Sequence, residues 1–156
     1  MVSPLAVVEG VPDPEMPFIT LGDLGVVRSV RVTPEGVRVV LTPTFTGCPA
    51  TEVIAADVRR ELIAAGYAVA AIELALAPPW STDWITPAGR TKLQAAGIAQ
   101  PACVAGSLEV AISAPVPCPR CGSLRTRRLS EFGATPCRAS HVCGACREPF
   151  EAIKPL

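Results

Sequence analysis

The chain has 156 residues, 49% of them hydrophobic but only 4% aromatic, and carries no formal net charge at neutral pH. Such a chain can bury one real core, which valine, leucine and isoleucine must build, and it is too apolar to be disordered along its whole length. The opening Met1-Val2-Ser3-Pro4 lacks the basic segment and apolar run of a secretory signal, and no stretch approaches the roughly 18 uncharged apolar residues of a membrane span, so a cytoplasmic protein with no membrane partner is expected.

Pro4, Pro12, Pro14 and Pro17 oppose a regular helix near the start, and residues 1–12 are expected as an extended entry to a domain beginning at Asp13. Val26 to Val32 and Val37 to Thr42 are valine-rich, and Thr33-Pro34-Glu35-Gly36 between them has the composition of a tight turn, which predicts a hairpin. From Pro49 to Ala65 the residues Val53, Ile54, Val58, Leu62 and Ile63 recur at helical spacing, with Gly66 as the stop. A third strand follows from Ala68 to Ala77, ended by Pro78-Pro79. A second helix from Pro87 to Ala96 has Thr86 as cap and Gly97 after its last turn.

This order predicts an α+β domain over residues 13–100, with a small mixed, mostly antiparallel sheet covered by helices. Residues 101–117 have the composition of a linker, although Ser107 to Ile112 could add a strand, and residues 118–156 form a separate C-terminal module. The charge supports two parts. Residues 1–114 hold seven basic and eleven acidic side chains, a balance of −4, and residues 115–156 hold seven and three, a balance of +4. Arginine outnumbers lysine twelve to two along the whole chain, a bias of composition without functional weight.

Seven cysteines, five of them in the last 39 residues, point to metal in a reducing compartment. Cys118-Pro119-Arg120-Cys121-Gly122 and Cys143-Gly144-Ala145-Cys146 are two CxxC knuckles, each aiming two sulfurs at one point, and together they complete the tetrahedron that Zn²⁺ accepts. The 21 residues between Cys121 and Cys143 leave room for a hairpin, which makes the module a zinc ribbon with structural Zn²⁺ on Cys118, Cys121, Cys143 and Cys146. The bland alternative is a redox dithiol in one knuckle. His141 and Cys137 stand just before the second knuckle and could replace a ligand. For His141 the competing reading is an exposed ribbon residue; for Cys137 it is a buried structural thiol, against a role in metal transfer.

Cys48 precedes Pro49 and so falls at the expected N-cap of the first long helix, where free N–H groups and the helix dipole are expected to lower its pKa. Asp13-Pro14-Glu15 places two carboxylates in a constrained turn that could approach this thiol and help it hold a metal. A buried cysteine and a surface acidic turn are the alternative.

Asp13-Pro14-Glu15, then Ile19-Thr20-Leu21-Gly22-Asp23-Leu24-Gly25-Val26-Val27, then Leu41-Thr42 leading to Gly47-Cys48-Pro49, resembles the domain of iron–sulfur assembly factors of the SufT type. Pro79-Trp80-Ser81-Thr82-Asp83-Trp84-Ile85-Thr86, Gly89-Arg90-Thr91-Lys92-Leu93, and Phe132-Gly133-Ala134-Thr135-Pro136-Cys137-Arg138-Ala139 extend the resemblance to the PaaD family, associated with phenylacetyl-CoA epoxidase, from about Asp13 to Lys154. The resemblance implies a non-catalytic factor that matures the metal centres of that oxygenase. Its clients would be the iron–sulfur reductase or the di-iron oxygenase component, and its partners could include the iron–sulfur assembly machinery. It also maps the family's reactive cysteine onto Cys48 and its acidic motif onto Asp13 and Glu15. A transient iron or iron–sulfur cluster, with Cys137 as a further thiol, suits soft thiolates in an incomplete ligand set.

Three other readings compete. Arg125, Arg127 and Arg128 motivate a nucleic-acid-binding ribbon, but interleaved aromatics are lacking and the overall charge is balanced, so no nucleic-acid partner is expected. A catalytic Cys48 needs a base, and the single histidine, His141, lies in the ribbon. An inert structural subunit of the oxygenase is the third.

Overall fold

The computed structural model describes residues 2–100 and 115–154. The expected strand at Ser107 to Ile112 lies outside them. The described chain divides into two compact units, Met1–Trp80 and Ser81–Leu156.

The first unit opens with a helix where an extended entry was expected. In α1 (Pro4–Glu9) the Ser3 hydroxyl accepts the Ala6 N–H at 3.2 Å, and Pro4 occupies the first turn. Proline is tolerated there because its missing N–H would have no intrahelical partner. Val8 is fully buried on this helix. A second short helix, α2 (Leu21–Leu24), is held by a capping box in which Thr20 and Asp23 satisfy each other's backbone N–H groups, and Gly25 ends it at φ 67°. Both helices are brief, so packing rather than propensity holds them.

The strands β1 (Val27–Thr33) and β2 (Gly36–Leu41) form the antiparallel hairpin. Gly36 has φ 130°, and a Cβ there would stand 2.6 Å from the Ala68 carbonyl oxygen, so only glycine fits. The helix α3 (Thr51–Ala64) then crosses over to β3 (Val69–Leu74), which pairs parallel with β2. The sheet is therefore mixed, in the order β1-β2-β3, because a helical crossover returns the chain in the same direction. Ile19, Leu21, Leu24, Val37, Val39, Val58 and Leu62 fill the core, and the buried Trp80 indole donates to the Leu24 carbonyl at 2.8 Å.

In the second unit a single 3₁₀ turn (Thr82–Trp84) leads into α4 (Pro87–Ala95), where the Thr86 hydroxyl caps the Gly89 N–H at 3.0 Å. The short β4 (Ile98–Ala99) follows. After residue 115 come β5 (Thr126–Ser130), β6 (Arg138–Cys143) and β7 (Pro149–Ile153). The sheet order is β4-β7-β6-β5, with β4 parallel to β7 and the other pairs antiparallel. Residues 81–100, expected with the first domain, are thus joined to the ribbon sheet.

Candidate metal centre

Each knuckle is built by the same turn. In the first, the Gly122 N–H returns to the Cys118 carbonyl at 2.9 Å with Gly122 at φ 72°; in the second, the Arg147 N–H returns to the Cys143 carbonyl at 3.0 Å with Arg147 at φ 63°. Left-handed backbone at the fourth residue after the first cysteine closes both turns, and a non-glycine there marks a conformation held by its surroundings. Within each knuckle the first sulfur, Cys118 or Cys143, is buried and the second, Cys121 or Cys146, is exposed.

The two turns meet. The Arg125 carbonyl, just before β5, accepts the Gly144 N–H at 2.6 Å, and an Arg120–Glu148 ion pair at 3.0 Å links the knuckles from outside. The four sulfurs lie within 4.8 Å of one another, with Cys118–Cys146 at 3.7 Å and Cys121–Cys143 at 3.6 Å. A tetrahedral ion with metal–sulfur bonds of about 2.3 Å sets its ligands about 3.8 Å apart. The spacing fits a closed four-thiolate centre, and this chain binds metal there.

Proton chemistry agrees. Hydrogen bonds from the Cys146 and Ala145 N–H groups, with help from neighbouring sulfurs, hold the Cys143 thiol down to about 6 against desolvation. The Cys146 thiol is pushed up to about 12: the Glu148 N–H favours its anion, but desolvation and the sulfurs of Cys121, Cys143 and Cys118 outweigh that. The opposite shifts of Cys143 and Cys146 show sulfurs competing for one proton, and a dication removes that conflict.

Neither neighbour of the second knuckle joins the cluster. His141 is buried rather than exposed, stacked on Phe150 with ring centroids 5.4 Å apart, and burial holds its pKa down. Cys137 is also buried, with its sulfur 3.1 Å from the Thr135 hydroxyl. The loop around it is fastened by Arg138, whose guanidinium meets Glu151 at 2.6 Å and Thr135 at 2.9 Å, while the Ala134 N–H donates to Glu151 at 2.5 Å. A Cβ at Gly133 would fall 2.5 Å from the Glu151 carboxylate oxygen, so a larger residue there would displace that side chain. This Arg138–Glu151 pair was not anticipated; the only signal was a lone basic and a lone acidic residue in facing strands.

Cys48 lies in the first unit, beyond β2. Its N–H donates to the Phe45 carbonyl at 3.1 Å, and its own carbonyl accepts from the Thr51 N–H at 3.2 Å and the Thr51 hydroxyl at 2.7 Å. The helix begins at Thr51 with Ala50 as its cap, so Cys48 stands two residues outside the expected position. The expected lowering of its pKa is overturned: burial pushes the thiol up, a hydrogen bond from Ala50 opposes this, and the charges of Glu15 and then Asp13 push it up further. The two carboxylates act on the thiol through their charge, but among the described residues only the four ribbon cysteines bring their ligand atoms together as a metal-holding group. Asp13 is itself buried, its Oδ1 accepting the Glu15 N–H at 2.9 Å and the Met16 N–H at 2.8 Å, which fixes the acidic turn.

A helix-covered mixed sheet carrying a thiol and an acidic turn, followed by a four-cysteine ribbon, defines an iron–sulfur-assembly-type domain joined to a metal-binding module. Family profiles agree, with "Iron-sulfur cluster assembly protein" matching residues 5–74 and "PaaD zinc beta ribbon domain" matching residues 106–154. The chain is 42% identical over 149 residues, 96% of its length and 89% of the relative's, to a putative 1,2-phenylacetyl-CoA epoxidase subunit of Escherichia coli K12, and it belongs to the PaaD family. The "Fe-S protein maturation auxiliary factor" of Porphyromonas gingivalis is 36% identical over 76 residues, 47% of this chain and 71% of that protein. Among solved structures, the "Domain of Unknown Function DUF59" of Bacillus anthracis is 26% identical with a TM-score of 0.53, covering 58% of this chain and 87% of that one.

Proposed function

We propose that this chain is a maturation factor that accepts iron or an iron–sulfur cluster at Cys48, assisted by Asp13 and Glu15, and delivers it to a metal-bearing component of a phenylacetyl-CoA epoxidase. The observation that carries this reading is the match of residues 5–74 to an iron–sulfur cluster assembly protein, a stretch that includes Asp13, Glu15 and Cys48. Burial first, and then the charges of Glu15 and Asp13, favour the protonated thiol, and an arriving cation would favour the thiolate and release the proton. One thiolate and two carboxylates leave iron under-coordinated, as a site that must release its cargo requires. The name of the P. gingivalis relative supports the activity and that of the E. coli relative supports the client.

In this reading the ribbon ion is zinc. Four thiolates in a closed tetrahedron leave no open position, so the ion supplies folding energy and no catalysis, worth roughly 10–16 kcal/mol at neutral pH. Cys137, buried and in the other unit from Cys48, serves packing. The chain is an accessory protein and not itself a catalyst.

The test presents iron-loaded chain, without oxygen, to metal-free oxygenase and reductase components. Iron is expected to move to one of them from wild type and not from Cys48→Ser, which keeps its fold and about one zinc per chain. Components already filled with metal are expected to epoxidise at full rate without this chain. A rate that rose at once in proportion to added chain, with no change in the components' metal content, would falsify the maturation reading in favour of a direct catalytic or assembly role.

A further inference from the structure

The ribbon unit carries more positive charge than it neutralises. Residues 115–154 hold seven basic and three acidic side chains. All three acids are engaged: Glu148 by Arg120 at 3.0 Å, Glu131 by Arg128 at 2.5 Å and Glu151 by Arg138 at 2.6 Å. Among the described residues, the side chains of Arg125, Arg127 and Arg147 have no ion pair or hydrogen bond.

Arg127 lies on β5 and Arg125 immediately before it. β5 ends the four-stranded sheet, so the outer row of its N–H and C=O groups meets no strand among the described residues. Arginines on such a border can simply deter strand pairing. Here they are interleaved with apolar side chains that a deterrent would avoid: Leu124 is 59%, Leu129 51% and Phe132 62% exposed. Arginine with large exposed apolar groups is the composition that concentrates binding energy in interfaces.

We propose that this border docks an acidic, extended segment of the client protein, added as a further strand beside β5; the proposal rests on the reading above that the chain has a client. The outer backbone groups of β5 beyond Thr126, which meet no strand among the described residues, supply main-chain hydrogen bonds, as in other strand additions. The segment's carboxylates meet Arg125 and Arg127, and its apolar side chains meet Leu124, Leu129 and Phe132. A nucleic acid fits less well, because single-strand binders stack bases on several aromatics and Phe132 is the one aromatic among the exposed apolar side chains of this border.

The experiment measures binding of the full, zinc-loaded chain to purified oxygenase and reductase components by titration calorimetry at low and high salt, with hydrogen exchange on the bound state. One component is expected to bind, to bind more weakly as salt rises, and to protect the amides of Thr126–Ser130. The variant R125E/R127E, which keeps its zinc, is expected to bind roughly tenfold more weakly or worse. Cys48→Ser is expected to bind like wild type. If docking behaves so while no iron moves, the maturation reading fails alone and the docking surface stands. Equal affinity of variant and wild type, protection away from β5, or no binding by either component overturns the proposal. So does tighter binding of a single-stranded oligonucleotide of about 20 nucleotides that the variant loses, which would make the border a nucleic-acid surface.

Discussion

Cys48 shows how little separates opposite chemistries for a thiol. Two residues nearer the helix, it would sit where backbone N–H groups favour the thiolate; in place, burial and the charges of Glu15 and Asp13 favour the protonated form. Alkylation by iodoacetamide at neutral pH should therefore be slower at Cys48 than for a free cysteine, and it should accelerate as pH rises. Glu15→Gln removes one repelling charge and should speed the reaction at fixed pH; no change would mean that the acidic turn does not act on the sulfur. Peptide mass mapping separates Cys48 from the ribbon thiols. The four-cysteine cluster was legible in the sequence because two CxxC spacings carry their own geometry. The acidity of Cys48 was not, because it depends on where the helix starts and on charges more than 30 residues away in the chain, and neither is a local property.

At the scale of elements, the hairpin, α3, β3 and α4 follow from periodicity and punctuation to within a few residues. The exceptions are the short helices. Proline at the start of α1 read as a breaker although it occupies the position that tolerates it, and the Thr20–Asp23 capping box was present in the sequence but unread. The Arg138–Glu151 pair could not be read, since only folding brings β6 and β7 together. Arg138 is buried and Glu151 half-buried, and Glu151 also receives the Ala134 N–H. Arg138→Ala should cost about 1–2 kcal/mol, between the exposed and the fully buried case, by leaving that half-buried carboxylate without its cation. The loss should appear as a lower thermal midpoint of the zinc-loaded protein, with zinc stoichiometry unchanged. A midpoint equal to wild type would show that the loop around Cys137 is held by something else.

At the scale of the whole molecule, composition and charge indicated two parts, but the compact units divide at a different seam. The linker composition after residue 100 is conspicuous, whereas the two-residue strand β4 has no periodicity to read, and it is β4 pairing with β7 that joins α4 to the ribbon. That pairing makes α4 an indirect sensor of the metal. Leu93 is fully buried, and Arg90 is tied to Gln100 at 3.1 Å and to the Thr82 carbonyl at 2.7 Å, so the helix is shielded while the sheet stands. Chelation should dissolve the sheet, free β4 and open the peptide bonds after Arg90 and Lys92 to trypsin, far along the chain from any ligand. Digestion with and without chelator, read by mass spectrometry, checks this; equal resistance at both bonds would show that α4 stands alone. In a cell short of the ribbon's metal, the molecules that never acquired the ion would be the ones with a severable helix, and proteolytic turnover would remove them first.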